Sequence, residues 1–331
     1  MEKKTIIIIV SVVVILICLG VGLYFLFKPP TTLDSSNYDT IKNNKRGKSK
    51  ITTIGYFSNY EGEEIIINGD EYKNLKKITE HAFYENNKKI IISGSFLNLE
   101  TIGVYAFAGC KNTESRIEIK GAPMLQTIGY KAFFCYDGNL IINGSFPMLK
   151  SIGMYSFMPH ICDGDKLDTE ITIRDATNLE YIGDEAFLGA KNINITGSFP
   201  KLKIIGKQAF ASLIRARGRK HSKTNKVSIT DAKELGEIGT QAFYQSSSRP
   251  TLDLTLKGNF TELYKIGDYA LKNFVGGEGN NDKAITMDID ITIDKNNTYN
   301  KDDIKLALTD SGGTLCETDA NRLKYTTGKC K

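Results

Sequence analysis

LQTIGYKAFF, from Leu125 to Phe134, is the stretch on which the reading of this chain turns. Its first nine residues recur as LKKITEHAF from Leu75, LETIGVYAF from Leu99, LKSIGMYSF from Leu149 and LEYIGDEAF from Leu179. Further copies are LKIIGKQAF from Leu202, LGEIGTQAF from Leu235 and LYKIGDYAL from Leu263, with a degenerate ITTIGYF at Ile51. Successive leucines lie 24, 26, 24, 30, 23, 33 and 28 residues apart. Self-similarity at a period of about 20–50 residues marks a stacked-repeat architecture, because one repeat cannot bury its own apolar face and a stack of neighbours can.

Each copy runs into a short segment with alternating apolar residues. The pairs are Ile65/Ile67, Ile90/Ile92, Ile117/Ile119, Leu140/Ile142 and Ile171/Ile173, then Ile193/Ile195, Val227/Ile229, Leu254/Leu256 and Ile291/Ile293. Alternate residues of a strand face opposite sides, so these pairs point into a core. The fold expected is a repeat solenoid over 51–294, a right-handed coil with one parallel β-strand per repeat. The L, I, A and F of the phrase form the opposite wall. The recurrent glycine (Gly103, Gly129, Gly153, Gly183, Gly206, Gly239, Gly267) suits either positive φ or a close backbone approach. After the strand, Phe96, Phe146, Phe199 and Phe260 alternate with Ala122, Ala176 and Ala232. Large then small at one site in successive layers keeps volume constant, so two coils form the structural unit.

The phrase resembles the BspA-type leucine-rich repeats of surface proteins, in which I-G-x-x-A-F precedes a strand of the I-x-I type. AFAGC, Ala106–Cys110, matches the fuller form of that motif; the other copies depart from it, as do the longer coils. The resemblance implies a non-catalytic cell-surface interaction or adhesion protein.

Outward positions of the strands offer a recognition face. Its middle column reads Ile66, Ile91, Glu118, Ile141, Thr172, Asn194, Ser228, Thr255 and Thr292, flanked by Lys89, Arg116, Lys120, Arg174 and Lys257. Ile66, Ile91 and Ile141 are read as an apolar patch near the N-terminal end. The loops between A-F and strand are long in even repeats. The longest carries Arg215, Arg217, Arg219, Lys220, Lys223 and Lys226, a basic cluster that can engage sulfated glycans or anionic lipid. It lacks interleaved aromatics, so nucleic acid is not the expected partner.

Catalytic vocabulary is sparse: three histidines, no tryptophan, and one crowded spot at His160-Ile161-Cys162-Asp163. A structural zinc site needs about four ligands, and no partner pair stands at suitable spacing. Asp288, Asp290, Thr292 and Asp294 resemble the start of a calcium loop but hold Ile293 and Tyr299 where glycine and glutamate belong. No cofactor is expected. A hydrolase using Cys162 is the remote alternative.

The ends carry different signals. Thr5 to Phe27 are 23 uncharged, mostly apolar residues between Lys3-Lys4 and Lys28. That is long enough to span a bilayer and long for a cleavable signal. Residues 1–28 are therefore expected to be a short tail and a single-pass transmembrane signal-anchor, and 29–50 a flexible basic stalk. The domain is expected outside the cell, although Lys42, Lys45 and Arg46 after the span favour a cytoplasmic scaffold by the positive-inside rule. Residues 295–331 read as a cap, which Cys316 and Cys330 would staple. Cys110 and Cys135 lie at nearly the same point of adjacent coils and are a second candidate disulfide. Sequons at Asn143, Asn194, Asn259 and Asn296 would accept glycans only in a eukaryotic secretory route.

Overall fold

The computed structural model describes residues 30–159, 169–211, 225–244, 252–271, 287–294, 314–319 and 322–326. Nine long strands, from Glu64–Asn68 to Met287–Asp294, stack in parallel, one per coil. The first eight pairs expected to point inward do so, with Ile65, Ile67, Ile90, Ile92, Ile117 and Ile119 at most 1% exposed, while Ile291 and Ile293 fall in a strand whose side chains are not described. The opposite wall is also a sheet, which corrects the expectation of one strand per repeat. The x-I of each phrase pairs with its neighbours, as in Thr101↔Thr127 and Ile102↔Ile128, giving nine two-residue strands that join Thr32–Leu33 in a parallel sheet. Between the sheets, the L, I, A and F of every coil are buried. Each buried Leu, Ile or Phe contributes roughly 1.5–3 kcal/mol relative to exposure.

The recurrent glycine is required by close approach and not by positive φ. A Cβ on Gly153 would lie 2.5 Å from the Gly129 carbonyl carbon and from the Tyr130 nitrogen. The left-handed residue comes two positions later, at His81, Tyr105, Lys131, Tyr155, Glu185, Gln208, Gln241 and Tyr269, with φ between 51° and 56°.

The two-coil unit has a basis in register. Ile92 stands opposite Ile117, the first inward residue of the next strand, whereas Ile117 stands opposite Leu140, again a first residue. Every second step is thus displaced by two residues. The displacement puts Gly94, Gly144, Gly197 and Gly258 opposite Ile119, Ile173, Ile229 and Ile291. Phe96, Phe146, Phe199 and Phe260 fill the following layer and alternate with buried Ala122, Ala176 and Ala232.

From Pro30 onward, the segment expected to be a stalk is folded. Thr32–Leu33 pairs with Thr53–Ile54, and two helical turns follow at Tyr38–Ile41 and Lys45–Lys48. Leu33, Tyr38 and Ile41 are buried against the first coil, while the basic residues that made the segment look like a linker face outward. The Tyr38 hydroxyl accepts from the Ile66 N–H and donates to the Ile66 carbonyl. It thereby satisfies part of the free edge of the first long strand, the edge on which another chain would otherwise add. At the other end, the hairpin Thr314–Asp319 and Arg322–Thr326 continues the large sheet antiparallel to Met287–Asp294.

Among the described residues no helix is long and apolar enough to cross a membrane. The expected span, 1–28, lies outside them.

Candidate functional site

The outer face of the large sheet bears the residues singled out from sequence, but the two-residue displacement rearranges them. Ile66 pairs with Ile91, and Ile91 with Arg116, not with Glu118. Glu118 sits between Ser93 and Ile141. The isoleucine trio is therefore split: Ile66 and Ile91 adjoin, whereas Ile141 lies in another column with Glu118 and Glu170. Ile66 is 44% exposed, Ile91 and Ile141 half-buried.

Beside the isoleucines, Glu118 anchors a charged group. Its carboxylate accepts from Arg116 Nη2 at 3.0 Å and pairs with Lys120 Nζ at 2.9 Å. Lys89 pairs with Glu64 at 3.5 Å. Hydrogen bonding from Lys120, and secondarily from Arg116, holds the Glu118 pKa below the ordinary value against the opposing effect of burial. A depressed folded-state pKa stabilises above the unfolded value and is lost as pH falls through the folded one. Glu118→Gln is therefore expected to lower stability by about 0.5–1 kcal/mol at pH 7. Denaturant titrations at pH 7 and at successively lower pH should show the gap closing as pH falls through the depressed folded-state pKa, where the wild-type carboxyl protonates too.

Further along, Thr172 is buried in the face, beside Asn143 and Asn194. Arg174 is exposed beside Ser145 and Thr196. The sequon residues Asn143 and Asn194 are half-buried, with the Asn194 Oδ1 unpartnered, and Asn259 is exposed at a strand end. Asn296 lies outside the described residues.

Cys110 and Cys135 are not bridged. They are one position out of register in the repeat: Cys110 follows Leu99 by eleven residues, Cys135 follows Leu125 by ten. Cys110 points inward, where its Sγ donates to the Phe83 carbonyl at 2.9 Å, the role Asn86 Nδ2 plays toward Phe57 one coil earlier. Cys135 occupies a left-handed corner with φ of 52° and is half-buried. Burial pushes the Cys110 thiol up to about 12. Reaction with a maleimide at pH 8 should therefore spare Cys110 until denaturant is added, because the thiolate is the reactive form; mapping labelled peptides checks this. Of the C-terminal pair, Cys316 falls in a strand whose side chains are not described, and Cys330 lies outside the described residues.

Of the basic loop, Arg215, Arg217, Arg219, Lys220 and Lys223 lie outside the described residues, as do His160 to Asp163. Lys226 belongs to the strand Asn225–Thr230, between Asn194 and Asp253, and not to the loop. Among the described residues no group of three or more His, Cys, Asp or Glu could hold a metal ion.

One surface was not anticipated. The left-handed corners project side chains at the same point of each coil, and in successive coils these are His81, Tyr105, Lys131 and Tyr155. His81 and Tyr105 stack at 5.2 Å, Tyr84 meets Tyr105 edge-on at 5.7 Å, and Tyr105 meets Tyr130 edge-on at 5.2 Å. Tyr130 then meets Tyr155, and Tyr155 meets Phe134. The Lys131 Nζ lies 4.8 Å from the Phe134 ring centre, 5.2 Å from Tyr130, 5.3 Å from Tyr155 and 5.4 Å from Tyr105. Burial works against its charge, but hydrogen bonds to the Tyr130 and Tyr105 hydroxyls outweigh it and leave the pKa raised. The signal lay in the sequence as the seventh letter of the phrase, a position that carries no buried side chain and so drops out of any search for periodic apolar residues.

A family model for the BspA type leucine rich repeat region matches six copies in this chain, within residues 39–162, 76–216 and 149–276. No curated protein and no solved structure gives a significant match. The chain belongs to the BspA-type leucine-rich-repeat family, a family of repeat-based interaction or surface proteins whose solenoid is typically a non-enzymatic scaffold.

Proposed function

We propose that this BspA-type repeat protein is tethered by residues 1–28, displays its solenoid outside the cell and binds an extracellular protein or glycan without chemistry. The observation that carries the reading is the uncovered outer face of the large sheet. Ile66 and Ile91 adjoin there with no element of the described structure above them, and the Arg116–Glu118–Lys120 group lies alongside. An apolar centre with a charged border is the composition of an interaction surface. The basic loop of an even repeat, with Arg215, Arg217, Arg219, Lys220 and Lys223, is a second contact on this reading. Many copies on one membrane would convert weak single contacts into avidity.

The test uses the full chain expressed on cells. A membrane-impermeant biotin reagent should label the solenoid in intact cells. Binding of those cells to immobilised extracellular-matrix proteins and glycans should fall at least tenfold with Ile66→Lys and Ile91→Lys combined, both on the outer face of the sheet and outside its core. Absence of labelling in a membrane-bound protein would reverse the orientation and replace this reading with a cytoplasmic scaffold. Labelling with unchanged binding in the double variant would remove the strand face from it.

A further inference from the structure

We infer that the corner around Lys131 is a second binding site, separate from the strand face, and that it takes an acidic sugar. The rings of Tyr105, Tyr130, Phe134 and Tyr155 would stack on the C–H face of the sugar, and the Lys131 ammonium would pair with its anionic group.

Three observations carry this. First, the fold does not ask for rings here. The same left-handed corner holds Glu185, Gln208 and Gln241 in the next three coils, with Gln208 Nε2 simply donating to Gln241 Oε1 at 2.8 Å, and a ring returns only at Tyr269 in the last described corner. The aromatic run is confined to the coils of Leu75 to Leu149, a strip about three coil spacings long, roughly 14 Å. Second, the rings form a rigid platform. Phe134 and Tyr155 pack on the small buried cluster of Met158, Leu188 and Ala211, beneath the corner and outside the main core. The Tyr155 hydroxyl is further held by Glu185 at 3.4 Å.

Third, the charge at the centre is uncompensated. Among the described residues Lys131 makes no ion pair. Its ammonium rests on ring faces and phenol oxygens, it stays protonated, and the residue is half-buried. Rings around an ammonium could also suggest a cage for a ligand cation. Here the position is already filled by the chain's own cation, which would repel a second one. A ligand that brings a carboxylate or sulfate to Lys131 and an apolar face to the rings meets both features at once. Neutral sugars would use the rings only.

The chain has no tryptophan but sixteen tyrosines, so tyrosine emission of the full-length protein in detergent supplies the binding signal and the variants below assign it to this strip. The probes are uronic-acid and sialylated oligosaccharides, their carboxyl-reduced counterparts, and heparin. The acidic oligosaccharides are expected to bind at least tenfold more tightly than the reduced ones. Tyr105→Ala and Lys131→Gly should each weaken them at least tenfold. Lys131→Gly is the decisive variant, since glycine accepts φ of 51° without strain, which offsets lost ring contacts, and a cooperative melt of the variant checks that it stays folded. Lys131→Arg should keep most of the affinity, and Ile66→Lys with Ile91→Lys should leave it unchanged, which separates this site from the strand face. Heparin bound as well by Lys131→Gly as by wild type, but lost with Arg215→Ala, Arg217→Ala and Arg219→Ala, would assign sulfated ligands to the basic loop instead. Equal affinity for acidic and reduced sugars, unchanged binding in Lys131→Gly, or no binding of any acidic probe would each overturn the inference.

Discussion

Gly153→Ala is expected to lower the stability of the solenoid by about 3 kcal/mol, the upper end of what overpacking does. The reason is backbone against backbone. A Cβ at this position would lie 2.5 Å from the Gly129 carbonyl carbon and 2.7 Å from its oxygen, and no side chain can rotate out of the way. Relief requires the coils of Leu125 and Leu149 to move apart. That strains the Gly153 N–H bond to the Ile128 carbonyl, now 2.8 Å, and the paired strands on either side of it. The next coil suffers too, since Gly183 packs on Gly153 and Met154 in the same way. The matched comparison is Gly121→Ala. Gly121 has φ of +115° but nothing within 4 Å of the place a methyl would take, so only backbone strain is added, on the order of 1–2 kcal/mol. Urea titrations of both variants by circular dichroism would rank them. Equal losses would mean that φ, not proximity, governs the repeat glycines.

The contrast also shows what was legible in the sequence. The phrase fixes which residues go inward because L, I, A and F at constant offsets can only be one wall, and each of these positions is buried in the described coils. The alternation of Phe96 with Ala122 marked the two-coil unit correctly. The two-residue displacement behind it was not legible, because an I-x-I pair looks the same in either register; only Gly94 opposite Ile119 reveals which pairs meet. That slip dissolved the supposed isoleucine trio. Residues 30–50 were misjudged for another reason: composition weighs the exposed Lys45 and Arg46 equally with Leu33, Tyr38 and Ile41, while the core uses only the latter three. Cys110 and Cys135 show how finely position matters, since a one-residue offset turns one thiol inward and the other to a corner. The aromatic corner was missed because its signal is variation at an outward letter of the repeat, where Tyr105, Lys131 and Tyr155 give way to Glu185, Gln208 and Gln241.

The largest single-residue loss is expected for Phe133→Ala. The phrase phenylalanines form one continuous column, Phe57, Phe83, Phe107, Phe133, Phe157, Phe187, Phe210 and Phe243, with neighbouring ring centres 5.0–5.4 Å apart and planes within 16° of parallel. Coil spacing imposes this: identical side chains one strand apart must stack. Phe133 is 2% exposed and touches rings on both sides, Phe107 at 5.1 Å and Phe157 at 5.4 Å. Truncation to alanine should remove about 3–5 kcal/mol. Phe133→Leu keeps most of the volume and gives up only the two ring pairs, each worth about 0.5–1.5 kcal/mol, so about 1–3 kcal/mol is expected. Combining Phe107→Leu with Phe133→Leu should lose less than the sum, because the pair they share is counted in both single variants. Additive losses would mean that the rings act as separate apolar fillers. A sub-additive cycle would make the column a mechanical continuity, and then alanine at its centre should do more than lower the midpoint. Stability in a stacked-repeat protein is carried by nearest-neighbour interfaces. Weakening both interfaces of one coil should therefore broaden the urea transition, as the halves before and after Phe133 begin to unfold separately.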